Sequence, residues 1–119
     1  MCYIKSGSNI SYELFRLIYR AIEGEPEFRI YFADRSNEYM IIKYDDRVDF
    51  QRCGCTESKV VSFDTLDSLY NAETIDSICL KRDFGKITDI IANDCYSLSD
   101  RTDLISLFAE YNTELPQLL

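Results

Sequence analysis

The sequence predicts an α+β fold with an N-terminal helix, an antiparallel sheet of three to five strands, helices packed on one face of that sheet, and a C-terminal helix. Apolar residues recur at helical spacing near both ends of the chain, whereas the stretch 28–51 alternates at strand spacing. The 119 residues are 46% hydrophobic and 29% charged, which is typical of a globular protein. We therefore expect a single α+β domain over residues 1–119.

The first predicted helix spans about Asn9 to Glu23. Ser8 is its predicted N-cap, and Gly24 followed by Pro26 ends it. Its apolar residues follow one another at steps of three and four, and so fall on one face: Ile10, Leu14, Leu17, Ile18, Ala21 and Ile22. We expect this face to be buried.

An antiparallel meander of three strands is predicted next. Its strands lie at about 28–32, 39–42 and 48–50, where apolar side chains alternate with polar ones. Turn-forming residues separate the strands. Residues 53–58 are expected to form a loop, and Lys59 to Ser62 can add a short fourth strand.

The second half of the chain has a weaker pattern. A short helix is predicted from Phe63 to Ala72, with Ser62 or Asp64 as its cap. Residues 77–82 favour a strand, although the same region also fits helical spacing. Residues 86–93 fit a helix by spacing and a strand by their β-branched content, and both alternatives stay open.

The C-terminal helix has a clear signature. Ser99 is the predicted cap, and the helix extends to about Tyr111, with Asp100 and Asp103 in its first turn. Its apolar positions are Leu104, Ile105, Leu107 and Phe108. No internal repeat or linker interrupts the chain before it.

The residue types argue against catalysis. The chain contains no histidine, which is the commonest general acid–base and the commonest transition-metal ligand. The four glycines have no spacing that would hold a phosphate group. We therefore expect a protein that is not an enzyme and needs no cofactor or metal. A small carboxylate-dependent enzyme is the second alternative, because acidic pairs are numerous.

Cysteine usage predicts a reducing compartment. Five cysteines in a chain of this size argue against a disulfide framework, and residues 1–8 lack the features of a secretory signal, so we expect a cytoplasmic protein. No run is long enough to span a membrane. Cys53 and Cys55 stand one residue apart beside Arg52 and support a first alternative, a metal or thiol-redox domain that uses this loop.

Negative charge is concentrated in the C-terminal half. The formal net charge is −8; residues 1–59 hold ten acids and nine bases, whereas residues 60–119 hold eleven acids and four bases. Two tyrosines flank the acidic last helix, and surface tyrosine is favoured at protein interfaces. The candidate partner-binding residues are Asp89, Asp94, Tyr96, Asp100, Asp103, Glu110 and Tyr111.

This charge distribution predicts the kind of partner. An acidic surface repels nucleic-acid phosphates and attracts a basic protein surface, so we expect a protein partner, no direct nucleic-acid binding and no membrane. The main hypothesis is a small interaction module, an inhibitor or an immunity or anti-defence protein, that neutralises a basic partner of the nuclease type. The competing explanation is that the charge serves solubility alone. A homo-oligomer formed through an exposed strand edge is also open.

Overall fold

The computed structural model describes residues 10–54 and 59–116. Its elements are α1 (Tyr12–Ala21), β1 (Glu27–Phe32), β2 (Glu38–Lys43), β3 (Val48–Cys53), β4 (Lys59–Phe63), α2 (Leu66–Asn71), a 3₁₀ turn (Ile75–Ser77), α3 (Leu80–Asp83), a second 3₁₀ turn (Phe84–Lys86), β5 (Ile87–Ala92), β6 (Tyr96–Ser97) and α4 (Arg101–Glu110). The predicted α+β class is confirmed. Within these two ranges, no helix has the length and apolar character that crossing a membrane requires.

The described strands form one six-stranded sheet in the order β4-β3-β2-β1-β5-β6. Every neighbouring pair is antiparallel. The predicted meander is confirmed as β1, β2 and β3, and the short fourth strand as β4. Residues 86–93, where both alternatives stayed open, form β5 beside β1. Because β6 also joins the sheet, the strand number slightly exceeds the three to five that were predicted.

The helices pack on one face of the sheet, as predicted. In the strand register Phe28 lies opposite Ile41, and Ile41 lies opposite Phe50, so these buried side chains share a face. Phe15 of α1 meets Phe28 edge-on, with ring centroids 5.1 Å apart. Each helix contributes to the same core: Phe15 and Ile18 from α1, Leu66 and Leu69 from α2, Leu80 from α3, and Leu104, Leu107 and Phe108 from α4.

Helix α1 is shorter than predicted. It begins after Ser11, whose Oγ accepts a hydrogen bond from the Leu14 amide at 3.1 Å, while the predicted cap Ser8 lies outside the described residues. The predicted buried face was partly wrong, because Leu14 and Leu17 are only half-buried. The helical residues that are buried are Tyr12, Phe15, Ile18 and Tyr19. Counting aliphatic residues alone missed the aromatic side chains that face the sheet.

The end of α1 is fixed by a lysine of the sheet. Lys43 Nζ donates hydrogen bonds to the carbonyl oxygens of Tyr19 and Ile22, at 2.7 and 2.5 Å. The last carbonyls of a helix have no partner within the helix, and a cation is favourable there. Burial lowers the pKa of Lys43. This side chain therefore ties the end of α1 to β2.

The short helix predicted from Phe63 to Ala72 is confirmed as α2, but its start and its cap differ from the prediction. Helix α2 begins only at Leu66, with Thr65 as its cap, because Phe63 belongs to β4. The strand predicted at 77–82 is instead the end of a 3₁₀ turn followed by α3. The alternating burial there comes from Ile78 and Leu80, which are both fully buried in a non-strand conformation. Local side-chain hydrogen bonds replace a strand partner for this segment.

Asp83 organises that segment. It is 3% exposed and accepts hydrogen bonds from the Cys79 amide at 3.1 Å and from Arg82 at 3.0 Å. Lys86 Nζ lies 3.7 Å from the same carboxylate. Against the opposing effect of burial, the hydrogen bond from Arg82 and then that from the Cys79 amide lower the pKa of Asp83 to about 2.

We predict that Asp83→Asn lowers the free energy of unfolding at neutral pH by roughly 1–3 kcal/mol, because a buried charge-assisted network is lost. The folded-state pKa lies below the ordinary value of 3.8, so this contribution is complete above that value and disappears as pH falls towards 2. Urea unfolding at neutral pH and at about pH 2.5 measures it. The gap between wild type and variant should narrow in acid, whereas the exposed-site control Asp64→Asn should match wild type at both pH values.

Candidate functional site

The β6 end of the sheet carries the predicted partner-binding residues. The strands β5 and β6 pair with each other, and α4 packs on β6. The seven predicted residues lie on these elements or directly beside them: Asp89, Asp94, Tyr96, Asp100, Asp103, Glu110 and Tyr111. We call this set the acidic end. The structure therefore places residues that are up to 22 positions apart in the sequence on adjoining elements.

At the acidic end, two carboxylates build the start of α4. The N-cap is Asp100 and not Ser99: its Oδ1 accepts a hydrogen bond from the Asp103 amide at 3.1 Å. The Asp103 Oδ2 in turn accepts from the Ser97 amide of β6 at 2.9 Å. The helix dipole favours negative charge at this position. These two acids thus have a folding role and connect the helix to the sheet.

A serine pair holds Asp89. Its Oδ1 accepts hydrogen bonds from the Ser97 hydroxyl at 2.9 Å, from the Ser99 hydroxyl at 3.2 Å and from the Ile90 amide at 2.8 Å. Ser99 was predicted to cap the helix and instead donates to Asp89. Sequence reasoning did not connect these serines with Asp89, because the link depends on the β5–β6 pairing.

Asp94 lies in the turn between β5 and β6. Both Asn93 and Asp94 have positive φ, at 52° and 59°, a conformation that asparagine and aspartate tolerate better than most residues. Arg29 Nε lies 3.2 Å from Asp94, and its Nη1 lies 2.7 Å from Glu38. Asp94 is nevertheless 69% exposed, so its carboxylate remains accessible at the surface.

The end of α4 is tied to the same turn. The Asn93 side-chain amide donates to the Tyr111 hydroxyl at 2.9 Å and to Glu110 at 3.3 Å. The Tyr111 ring lies so close to Gly24 that a Cβ there would be 2.6 Å from it. Gly24 is therefore needed for this approach and not only as a helix stop. Tyr111 is half-buried and fixed in position.

Tyr96 also belongs to the acidic end. It is partly buried and packs against the core. Partial burial and the nearby Glu110 carboxylate raise its pKa, with a smaller effect from Asp103. The phenol therefore stays protonated near neutral pH and can donate a hydrogen bond. The partly buried Tyr96 ring thus packs against the core and lies close to carboxylates of the acidic end.

The ion pairs of the described residues leave this end largely unneutralised. They involve acids from Asp34 to Asp83, and beyond that point only Asp94. In residues 10–54 and 59–116, eleven acids form no ion pair. Five of them follow residue 86: Asp89, Asp100, Asp103, Glu110 and Glu114. The other six are spread over the first two thirds of the chain: Glu13, Glu23, Glu25, Glu27, Asp45 and Asp64. Most basic side chains are already engaged between α1 and the second 3₁₀ turn. Because residues 87–116 hold six acids and one base, Arg101, the negative excess per residue is highest on β5, the turn after it and α4.

The described residues include only one of the two cysteines on which the metal or thiol-redox alternative depends. Cys53 ends β3 and is half-buried, with Gln51 Nε2 3.8 Å from its sulfur, while Cys55 lies outside the described residues. Within the described part of the chain, no three cysteine, aspartate or glutamate side chains converge in a way that could hold a metal ion. The metal or thiol-redox alternative stays a prediction.

A second cluster, which sequence reasoning missed, surrounds Asp76. The Tyr39 hydroxyl donates to Asp76 Oδ2 at 2.6 Å, and Arg52 Nη1 lies 2.9 Å from Oδ1. Asp76 and Ser77 have positive φ, at 55° and 63°, which costs roughly 1–3 kcal/mol per residue. The hydrogen bond from Tyr39 lowers the pKa of Asp76, and burial raises that of Tyr39. A carboxylate that is ionised and bound by two donors holds this strained turn in place.

Asp76 lies in one wall of a surface groove. The groove has a volume of about 660 Å³ and lies between Lys59–Val61 of β4 and residues 73–77. We call it the edge groove. No sequence signal indicated it, because Tyr39, Arg52 and Asp76 are far apart in the chain and meet only through the sheet register.

Comparisons of the chain with protein-family models, with curated proteins and with solved structures found no match.

We predict that Asp100→Ala lowers the free energy of unfolding by about 1 kcal/mol, because the α4 amide at Asp103 loses its acceptor. Asp100→Asn should cost only a few tenths of a kcal/mol, since asparagine caps equally well. Urea unfolding of both variants separates the capping role from the charge. Equal losses in the two variants would show that the charge, and not the cap, stabilises α4.

We predict that Tyr39→Phe costs roughly 1–3 kcal/mol, because the hydrogen bond to an ionised carboxylate is lost while the ring still fills its site. Amide hydrogen exchange at Ile78, which closes the turn by donating to the Ile75 carbonyl at 3.0 Å, should accelerate. The control is Tyr31→Phe, at a half-buried tyrosine with no hydroxyl hydrogen bond among the described residues. If both variants exchange at the wild-type rate, Tyr39 does not hold the turn.

Proposed function

We propose that the chain is a small acidic interaction module that binds a protein partner with a basic surface through the acidic end, and neutralises that partner by covering the surface. The partner class that fits is a nuclease-type protein, since proteins that bind nucleic acid present positive charge to phosphates. In this proposal the chain carries no catalytic residue and contacts no nucleic acid itself.

The observation that carries the proposal is the set of carboxylates without cationic partners around α4. Such a field steers a positively charged surface and can raise association rates by roughly 10 to 10³-fold. A charge excess spread evenly over the surface would give solubility without a direction. Here residues 87–116, which form the β6 end of the sheet and α4, hold six acids and one base, so the excess is strongest at this end.

The fixed geometry of this end also supports the proposal. Asp89, Asp100 and Asp103 are held by hydrogen bonds to the scaffold, so their ordering is complete before a partner arrives. Preorganised groups lose less conformational entropy on binding. Tyr96 and Tyr111 supply partly exposed aromatic surface beside them, and tyrosine is enriched among residues that dominate binding energy.

The test compares two triple variants with the same change in net charge. The first removes charge at α4 by Asp100→Asn, Glu110→Gln and Glu114→Gln, in which asparagine preserves the cap. Immobilised wild-type chain captures proteins from a lysate of the source cells. A captured protein with a basic surface is purified, and its dissociation constant is measured by titration calorimetry at low and at moderate salt. We expect the first variant to bind at least about tenfold more weakly at low salt.

The control variant carries Glu13→Gln, Asp45→Asn and Asp64→Asn, at exposed acids outside the acidic end. We expect it to bind within about twofold of wild type, because screened charges far from an interface contribute little. An equal loss in both variants would assign the effect to net charge alone and overturn the proposed surface. If the captured protein cleaves nucleic acid, saturating wild-type chain should suppress the cleavage; undiminished cleavage would refute neutralisation.

A further inference from the structure

At the end of the sheet opposite the acidic end, β4 exposes an unpaired edge. It is the outermost strand beside β3, and in the described part of the chain its outward main-chain groups make no hydrogen bond to other backbone. Exposed strand edges of this kind are templates for pairing with another polypeptide. This edge forms one side of the edge groove.

The opposite wall of the edge groove is held rigidly. Asp76 and Ser77 are fixed in a strained turn by Tyr39 and Arg52. Thr74 closes the same segment by donating from its amide and its hydroxyl to the Ile78 carbonyl, at 2.8 and 2.6 Å. The edge groove therefore lies between an open strand edge and a fixed turn.

The side chains of the groove specify an occupant. Val60 is 52% exposed, which is unusual for a large apolar residue in this protein. Two acids of the wall already have basic partners: Asp76 pairs with Arg52, and Glu73 with Arg82. Lys59 forms no ion pair with any of the described residues. Lys59 lies near enough to Asp76 to help lower the pKa of that carboxyl, but Arg52 and Lys59 together outnumber this one acid. Among the described residues the groove thus offers one apolar contact and an excess of one positive charge beside Asp76.

We propose that the edge groove binds an extended segment of a partner polypeptide as a seventh strand on β4, with a carboxylate facing Lys59 and an apolar side chain over Val60. Adjacent residues of a strand point to opposite faces, so the ligand carries these two side chains at neighbouring positions. Main-chain hydrogen bonds supply affinity in this mode, and alternate side chains supply specificity. The site is separate from the acidic end and does not depend on the proposed function.

A second copy of the chain is a poorer occupant. Each copy has a net charge of −8, which opposes self-association. The five residues of β4 extend only about 17 Å. A pairing of that length buries less than the roughly 1,200 Å² that stable association of two folded proteins requires. A single extended segment needs only the edge and the groove.

The probe is an acetylated, amidated peptide of alternating glutamate and valine (EVEVEV), compared with its lysine counterpart (KVKVKV). An acidic protein attracts the lysine peptide through its overall field, so tighter binding of the glutamate peptide requires a local cation. We expect wild type to prefer the glutamate peptide by about fivefold, and Lys59→Glu to reverse the order. Fluorescence anisotropy of labelled peptides gives the affinities, and slower amide exchange in β4 locates the site.

Two matched variants test the apolar contact. Val60→Glu replaces the apolar contact by a charge that repels the carboxylates of the glutamate peptide, and should abolish its binding. Ile105→Glu makes the same change at a residue of α4 with similar exposure, 51%, and should leave binding within about twofold of wild type. Preference of wild type for the lysine peptide, or binding of the glutamate peptide that survives Val60→Glu, would overturn the proposal. So would a dimer, detected by sedimentation without peptide, that Val60→Glu dissociates, because a second copy would then fill the groove.

Discussion

The edge-on packing of Phe28 against Phe15, at 5.1 Å, determines which face of the sheet is buried. Because side chains alternate along a strand, fixing one residue of β1 fixes the orientation of every residue on the strands paired with it. If β1 were shifted by one residue and kept its pairing with β2 and β3, the buried face of all three strands would turn outward. Ile30, Ile41 and Phe50, which are each fully buried, would then be exposed together. All four helices add side chains to this one face, so the positions of the two candidate surfaces depend on it.

The same register distributes the charged residues unequally between the two ends of the sheet. Near β4 and α2 the basic side chains meet acids: Arg52 pairs with Asp76, and Arg16 with Asp67. At the other end α4 supplies acids and few bases. The negative field around α4 therefore reflects the uneven distribution of bases, since residues 87–116 contain one base, Arg101, and six acids. The edge groove, with its exposed Lys59, has the opposite local character.

The sequence was sufficient where a pattern was local and was insufficient where contacts were distant. The spacing of apolar residues predicted α1, α4 and the meander. The count of acids and bases pointed to the residues of the acidic end. The caps were shifted by one residue or more, because serine and aspartate both cap well and Ser99 was drawn to Asp89 instead. Residues 77–82 alternated like a strand, yet Asp83 and Arg82 satisfied that backbone locally. The turn at Asp76 had no local signal, since Tyr39 and Arg52 reach it only through the folded sheet.

Several acids near α4 have a role in folding, so only part of the charge excess requires another explanation. Asp100 caps α4, Asp103 anchors it to Ser97, and Asp89 receives the two serine hydroxyls, so folding alone is a sufficient reason for these three carboxylates. Glu110 and Glu114 have no comparable role: Glu110 accepts one exposed hydrogen bond of 3.3 Å, and Glu114 makes none among the described residues. A requirement for folding cannot explain their charge. Their charge is then explained either by binding or by solubility. Substitution of Glu110 and Glu114 can therefore distinguish these two explanations.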